Sequence, residues 1–214
     1  MDQKLKNISE ALIKGQAPLV KELVNDCVAY GLDTEVILNE GLIAGMNVIG
    51  KRFKKDEIFL PEVMIAARAM HAGLDILDPI LSKSNIEPRG KIVLGTVRGD
   101  LHDVGKNLVS MMFRGAGFKV IDLGIDVPDE NFVDAVQENH PDILGLSALL
   151  TMTLPMMKTT IEAVDAAGLK DEVAIMVGGA PVTQEFANQI GAHGYAPDAA
   201  TAVDKAFELM AATG

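Results

Sequence analysis

The chain has 214 residues, a formal net charge of −11 and a sequence pI near 4.7. This acidity argues against binding to nucleic acid or to an anionic membrane through a general basic surface. Cys27 is the only cysteine, which excludes a disulfide framework and a zinc-binding thiolate cluster. No apolar run reaches membrane-spanning length and the first residues lack a secretory signal, so we expect a cytoplasmic protein.

The first part of the chain, residues 5–81, has the periodicity of amphipathic helices throughout. Gly15 and Gly31 are expected to end the first and second helices, and Pro18 suits the first turn of the second. Asp33 is a plausible N-cap for the third helix. With a fourth helix after Pro61, the short connections predict an antiparallel four-helix bundle.

A polar stretch with proline and glycine, residues 82–90, reads as a linker between two domains, which we place at residues 1–88 and 89–214. Beyond it, short apolar runs alternate with helical patterns, which predicts an α/β fold with a parallel sheet covered on both faces. The strands are predicted at residues 92–97, 120–123, 143–147 and 174–177, with a weaker fifth at 194–196. The helices are predicted to start at Val104, Pro128, Leu154, Thr183 and Ala199.

Five such units make a flavodoxin-like five-stranded sheet the expected topology, with the ligand at the carboxyl ends of the strands. Three loops should meet at that edge, beginning at Gly99, Gly145 and Gly178. The first carries His102 two residues after Asp100, and a carboxylate there can fix the tautomer of a metal-binding imidazole.

Several common uses of this topology do not fit the residues. The spacing of Gly95 and Gly99 does not match the glycine fingerprint of a dinucleotide site, and no P-loop is present. A phosphorelay receiver would end its third strand in aspartate, where this chain has Ser147. The same serine is not on the glycine-flanked elbow that a hydrolase nucleophile needs.

The pattern Asp100-x-His102-x-x-Gly105, followed by Ser147-x-Leu149 and then Gly178-Gly179, resembles the signature of cobalamin-binding domains. The helical part, from Gly45 through Phe53 and on to Met64, resembles the helical cap of cobalamin-dependent methionine synthase. Cap and binding domain together resemble the small corrinoid proteins of three-component methyltransferase systems found in anaerobes.

The resemblance implies a role for each matching residue. His102 would be the lower axial ligand of cobalt, Asp100 its carboxylate partner, and Ser147 the next member of that hydrogen-bond relay. The remaining cofactor-binding residues that it implies are Gly99, Leu101, Asp103, Gly105, Leu149, Thr151, Gly178, Gly179 and Ala180, with Ala199 and Tyr195 matching more weakly. Phe53, Leu60 and Val63 would cover the upper face of the corrin.

The resemblance further implies that the cofactor binds with its own benzimidazole displaced from cobalt, and cycles between cob(I)alamin and methylcobalamin. The chain would have no catalytic residue of its own and would act with three partners: a donor-specific methyltransferase, a second methyltransferase with tetrahydrofolate or a thiol as acceptor, and a reductive activase. The alternatives left open are the cobalamin-binding part of a radical mutase and a cobalamin-dependent regulator.

Overall fold

The computed structural model describes residues 3–81 and 88–213. The chain divides into two compact units, of which one ends at Arg89 and also includes Gly115–Gly117, while the other holds the rest. Compactness does not by itself show independent folding, so the domain boundary after residue 88 stays a prediction. Most of the predicted linker, residues 82–87, lies outside the described residues.

The first unit is helical. Its elements are Gln3–Ile13 (α1), Ala17–Ala29 (α2), Thr34–Val36 (α3), a π-helical segment Ile37–Ile43, Ala44–Lys54 (α4) and Leu60–Leu81 (α5). Because α3, the π segment and α4 follow one another without a break, they make up the single third helix that the sequence predicts. Gly15 and Gly31 adopt φ values of +69° and +79°, and the Asp33 carboxylate accepts a hydrogen bond from the Glu35 N–H at 2.8 Å.

Each helix of this unit turns an apolar face inward. Leu5, Ile8 and Leu12 of α1 are at most 2% exposed, as the helical spacing of these residues predicts. The π-helical turns were not predicted, because they change the hydrogen-bond register of the helix without interrupting its apolar pattern. Within the described ranges, no helix has the length and apolarity required to cross a bilayer.

The second unit is a parallel α/β sheet with the strand order β2-β1-β3-β4-β5. Its strands are Lys91–Val97 (β1), Lys119–Val127 (β2), Ile143–Ser147 (β3), Ala174–Gly178 (β4) and Gly194–Ala196 (β5). Its helices are Val104–Gly115 (α6), Asp129–Asn139 (α7), Leu154–Ala166 (α8), Gln184–Gln189 (α9) and Ala199–Thr213 (α10). This order confirms the predicted flavodoxin-like topology.

The central strands are buried on both faces, since Ile92 and Val93, which point to opposite sides, are both fully buried. The main difference from prediction is β2, which extends to Val127 instead of ending at Leu123. Gly124 and Asp126 obscured this extension, because glycine and aspartate are rare inside strands. Both adopt positive φ values, +87° and +52°.

At the opposite edge of the sheet, the imidazole of His193 takes the place of a backbone pairing partner. The backbone N–H of Ile175 donates to Nδ1 of the His193 ring at 2.8 Å, and the backbone N–H of His193 donates to the Ile175 carbonyl at 2.8 Å. Burial and the charge of Lys170 lower the pKa of His193 below its ordinary value of 6.5, against an opposing effect of Asp171. A protonated Nδ1 could not accept the Ile175 hydrogen bond.

We therefore expect the free energy of unfolding to fall as pH drops below the ordinary histidine value. In this range the unfolded chain binds a proton at His193 that the folded chain does not, so stability is lost until the lowered folded-state pKa is reached. The ring is partly exposed, so the loss should be below about 1 kcal/mol.

Urea unfolding between about pH 7.5 and pH 5.5 measures this effect. The matched variant is His193→Asn, whose side-chain oxygen can accept from Ile175 but does not titrate. The wild-type chain should lose more stability than the variant over this range. Equal losses in the two proteins would show that His193 makes no contribution.

Candidate functional site

The carboxyl ends of β1, β3 and β4 stop level with one another. Thr96 of β1 pairs with Ser147 of β3, which in turn pairs with Gly178 of β4. The loops that follow these residues therefore leave the sheet side by side. This brings together the three sequence patterns on which the predicted site depends, although they lie up to about 80 residues apart in the chain.

His102 lies in the first of these loops with one ring nitrogen held by a carboxylate. Its Nδ1 is 2.7 Å from Asp100 Oδ1, and its backbone N–H donates to the same oxygen at 3.1 Å. The Asp100 side chain is fully buried, whereas the His102 side chain is 46% exposed. An ionised Asp100 requires the proton on Nδ1, which leaves Nε2 as the nitrogen with an available lone pair.

The second oxygen of Asp100 is bound entirely by the loop after β3. Oδ2 accepts hydrogen bonds from the Thr153 hydroxyl at 2.7 Å and from the N–H groups of Leu149 and Leu150 at 2.8 and 3.1 Å. Burial raises the pKa of Asp100, but these three donors and His102 outweigh it and hold the pKa well below its ordinary range. Asp100 is therefore a buried carboxylate that its hydrogen bonds keep ionised at neutral pH.

This arrangement corrects the prediction for Ser147. Within the described residues, no hydrogen bond joins Ser147 to Asp100; the hydroxyl that reaches the carboxylate belongs to Thr153. Ser147 is the last residue of β3, held level with Gly178 by strand pairing, whereas Thr153 begins the turn into α8. The signal that could have found Thr153 is its place as a hydroxyl residue at a helix start beside the same loop.

The His102 loop and the facing loop after β3 both present large apolar side chains to solvent. Leu101 is 66% exposed, Val104 64%, Leu150 42% and Met152 87%. Such a group of large exposed apolar side chains around a polar centre is typical of a ligand site. Gly105 adds space there, because a Cβ built on it would meet nothing within 4 Å.

The other predicted residues of this loop shape its backbone. Gly99 has a φ of +81°, which favours glycine. The exposed Asp103 directly precedes α6, and its carbonyl and its carboxylate accept hydrogen bonds from the backbone and side chain of Asn107 at 2.7 and 3.1 Å. Leu149, 44% exposed, and Thr151, also exposed, lie on the facing loop after β3.

Two glycines at the carboxyl end of β4 allow neighbouring backbone to approach closely: Gly178 ends the strand and Gly179 follows it. Gly179 has a φ of +134°, and a Cβ on it would collide with the carbonyl oxygen of Ala148. A Cβ on Gly178 would come within 3.1 Å of the Ala196 carbonyl oxygen. The need for glycine at these positions thus arises from the backbone of the protein itself, before any ligand is considered.

Not all predicted positions have a free surface. Ala180 is exposed and Tyr195 partly buried, but Ala199, at the start of α10, is only 3% exposed. In the helical unit, Phe53 and Leu60 are partly exposed, whereas Val63 is fully buried. As described, Val63 packs in the core and offers no surface to a cofactor.

The residues at the sheet edge fit a corrinoid. Asp100 fixes one nitrogen of the His102 ring, and the other nitrogen keeps an available lone pair. A single protein ligand of this kind suits a metal whose other ligands belong to its own cofactor. The surrounding exposed apolar side chains suit a large, flat organic group. Both features lie in one compact unit and are fixed by hydrogen bonds that the chain makes to itself.

Comparison with known proteins agrees with this chemistry. A family model described as a B12 binding domain matches residues 90–204. A second model with the same description matches residues 4–78. Together they span both compact units of the chain.

Two similar sequences are corrinoid proteins over almost their full length. A corrinoid protein of Desulfitobacterium hafniense is 44% identical over 209 residues, covering 96% of this chain and 97% of the relative. The dimethylamine corrinoid protein of Methanosarcina barkeri is 44% identical over 211 residues, covering 98% and 99%.

Solved structures give the same result. A cobalamin-binding protein from Desulfitobacterium hafniense has a TM-score of 0.78 at 34% identity, covering 96% of this chain and 98% of that one. The methanol:cobalamin methyltransferase complex of Methanosarcina barkeri matches with a TM-score of 0.89 at 32% identity, covering 98% of this chain and 80% of the matched one. With two B12-binding models over its length and relatives at this identity, the chain belongs to the B12-binding corrinoid proteins of methyltransferase systems, and its cofactor is cobalamin.

Proposed function

We propose that this chain carries a methyl group between two methyltransferases and that His102 is the lower axial ligand of the cobalt. The observation that supports this most directly is the Nδ1–Oδ1 hydrogen bond of 2.7 Å between His102 and the buried Asp100. It fixes the ring and its tautomer, and it increases the basicity of the nitrogen left for the metal. Cobalamin, when bound, supplies a cobalt centre that accepts and releases the methyl group.

The chain's own residues bind and orient rather than act on the methyl donor. The apolar side chains of Leu101, Val104 and Met152 would contact the corrin from the His102 side. The glycines after β4 and the exposed Ala180 would border the slot for the displaced benzimidazole. Phe53 and Leu60, on the helical unit, would shield the methyl group from water.

The partners follow from this division of tasks. The chain would receive the methyl group from a donor-specific methyltransferase and pass it to a second methyltransferase whose acceptor is tetrahydrofolate or a thiol. The names of the relatives include monomethylamine, dimethylamine, trimethylamine and methanol, and we propose a small donor of this kind. A reductive activase would restore cobalamin that has become oxidised.

The carrier role is tested by a single turnover. The full chain, loaded with cobalamin and reduced, should take up a methyl group for each bound cofactor when mixed with a donor methyltransferase and an isotopically labelled methylamine or methanol. An acceptor methyltransferase should then remove the label. A cobalamin-loaded chain that takes up label with none of the methylamine or methanol methyltransferases would contradict the proposal.

The ligand role is tested with His102→Gly. The visible spectrum of the cobalamin-loaded variant should change to that of a cofactor without a histidine ligand, and added imidazole should restore the original spectrum by filling the space. The matched control is His140→Gly, because His140 has a φ of +45° and glycine relieves that backbone. A spectrum that stays the same in His102→Gly would rule out ligation.

The relay behind His102 is tested with Thr153→Val. The variant keeps the shape of the side chain but removes one donor to a buried carboxylate, so the free energy of unfolding should fall by about 1.5–3 kcal/mol. Thr153→Ser keeps the hydroxyl and should lose less than about 1 kcal/mol. Urea unfolding of the three proteins measures both values, and equal losses in the two variants would mean that the hydroxyl contributes little.

A further inference from the structure

The carboxyl end of β2 departs from regular strand geometry beside the His102 loop. The register between β1 and β2 shifts twice, between Leu94 and Gly95 and again between Gly95 and Val97. Asp126, near the end of β2, has a φ of +52°. A left-handed conformation costs a non-glycine residue of order 1 kcal/mol and persists where its surroundings impose it.

Asp126 makes two hydrogen bonds to the backbone that leads to His102. Its carboxylate Oδ1 accepts from the Gly99 N–H at 2.6 Å, and its own N–H donates to the Asp100 carbonyl at 3.0 Å. The left-handed backbone lets one residue make both bonds to two consecutive residues of the loop. The bond to Gly99 has an ionised acceptor and belongs to the stronger class of hydrogen bonds.

These bonds complement those made on the other side of β1. The Asp100 side chain is held by Leu149, Leu150 and Thr153, which follow β3, while its main chain is held by Asp126 of β2. Since β2 and β3 flank β1 in the sheet, the loop is held from both neighbours. Without Asp126, the loop would keep the bonds of the Asp100 carboxylate and two bonds to β1. These run from the Asp100 N–H to the Val97 carbonyl at 3.1 Å and from the Thr96 hydroxyl to the His102 carbonyl at 3.0 Å. It would lose both of its bonds to Asp126 of β2.

We propose that Asp126 is a positioning residue for His102. Its left-handed backbone lets the carboxylate accept from the Gly99 N–H while the Asp126 N–H donates to the Asp100 carbonyl, and these two bonds orient the imidazole. This inference rests on the proposed ligation of cobalt by His102. Asp126 touches neither the metal nor the methyl group and acts only through the loop.

Two substitutions separate the carboxylate from the backbone conformation. Asp126→Gly removes the acceptor and relieves the backbone, so the variant should fold. Asp126→Asn keeps a side-chain oxygen and tolerates the left-handed region. The matched control is Asp142→Gly, because Asp142 accepts from the Lys91 N–H at 2.7 Å and donates to the Lys91 carbonyl at 2.9 Å, a similar pair of bonds at the opposite end of β1.

The geometry is tested first without cofactor. In the NMR spectrum of the full chain, the Gly99 amide proton should lie downfield because it donates a short hydrogen bond to a carboxylate. It should move upfield in Asp126→Gly and stay within the downfield region in Asp142→Gly. An unchanged Gly99 shift in Asp126→Gly would overturn the proposed contact.

Positioning is then tested on the protein loaded with cobalamin in its Co(II) state. A histidine ligand splits the electron paramagnetic resonance lines into nitrogen-14 triplets, and added nitrogen-15 imidazole converts them to doublets as it displaces His102. The imidazole concentration that displaces half of the His102 ligand is the midpoint of this titration. It should fall about tenfold in Asp126→Gly, as expected for loss of one charge-assisted hydrogen bond. In Asp126→Asn, which keeps an oxygen acceptor but not the carboxylate, the midpoint should fall less than in Asp126→Gly. In Asp142→Gly the midpoint should remain within about twofold of the wild type.

The outcomes distinguish the two proposals. A wild-type protein without nitrogen-14 splitting would contradict ligation by His102 and therefore the proposed function itself. With that splitting present, an unchanged midpoint in Asp126→Gly would overturn the positioning role alone. An equal fall in Asp126→Gly and Asp142→Gly would also overturn it, since the effect would then follow from loosening either end of β1.

Discussion

The buried carboxylate of Asp100 is the constraint on which the site depends. A fully buried charge is costly unless hydrogen bonds satisfy it, and Asp100 accepts five: two from His102, one from Thr153 and one each from the Leu149 and Leu150 N–H groups. The donors come from two loops that the sequence separates by more than forty residues. The charge can be buried only when β1 and β3 are paired and both loops are in place, so the site forms together with the sheet.

The same dependence extends across the sheet to β4. The Ala148 N–H donates to the Gly178 carbonyl at 3.3 Å, and Gly179 lies so close to the Ala148 carbonyl that it has no room for a side chain. Ala148 directly precedes the two amide groups that bind Asp100. Glycine after β4 therefore contributes to the environment of His102 indirectly, because it permits the close packing of the loop that supplies those amides.

Much of this could be predicted from the sequence because it depends on local patterns. Apolar runs such as residues 92–97 and 143–147 identify buried parallel strands, and five alternating units leave few topologies. Asp100 and His102 are two residues apart, so their pairing is visible in the sequence. The sequence also places Gly178 and Gly179 at the end of a predicted strand, where another part of the backbone can approach a glycine closely.

What the sequence did not reveal depends on distant partners. Ser147 ends β3 and Thr153 ends the loop that follows, and only the course of that loop decides which of the two hydroxyls reaches Asp100. The end of β2 contains Gly124 and Asp126, whose types indicate a loop, yet pairing with β1 retains them in the strand. Burial of Val63 likewise results from packing around α5, which helical periodicity alone does not determine.

The described contacts around His102 share one effect, which is to restrict movement of the ring. The carboxylate of Asp100 fixes Nδ1, and the Thr96 hydroxyl donates to the His102 carbonyl at 3.0 Å. Asp126 binds the backbone of Gly99 and Asp100. Under the proposed ligation of cobalt, a ring held in this way would lose little conformational entropy on binding, so more of the bond energy would remain as affinity. Three buried polar side chains, those of Thr96, Asp100 and Thr153, thus act on the position of one imidazole. This suits the proposed function, in which the chain holds the cofactor while partner methyltransferases bind the methyl donor and the methyl acceptor.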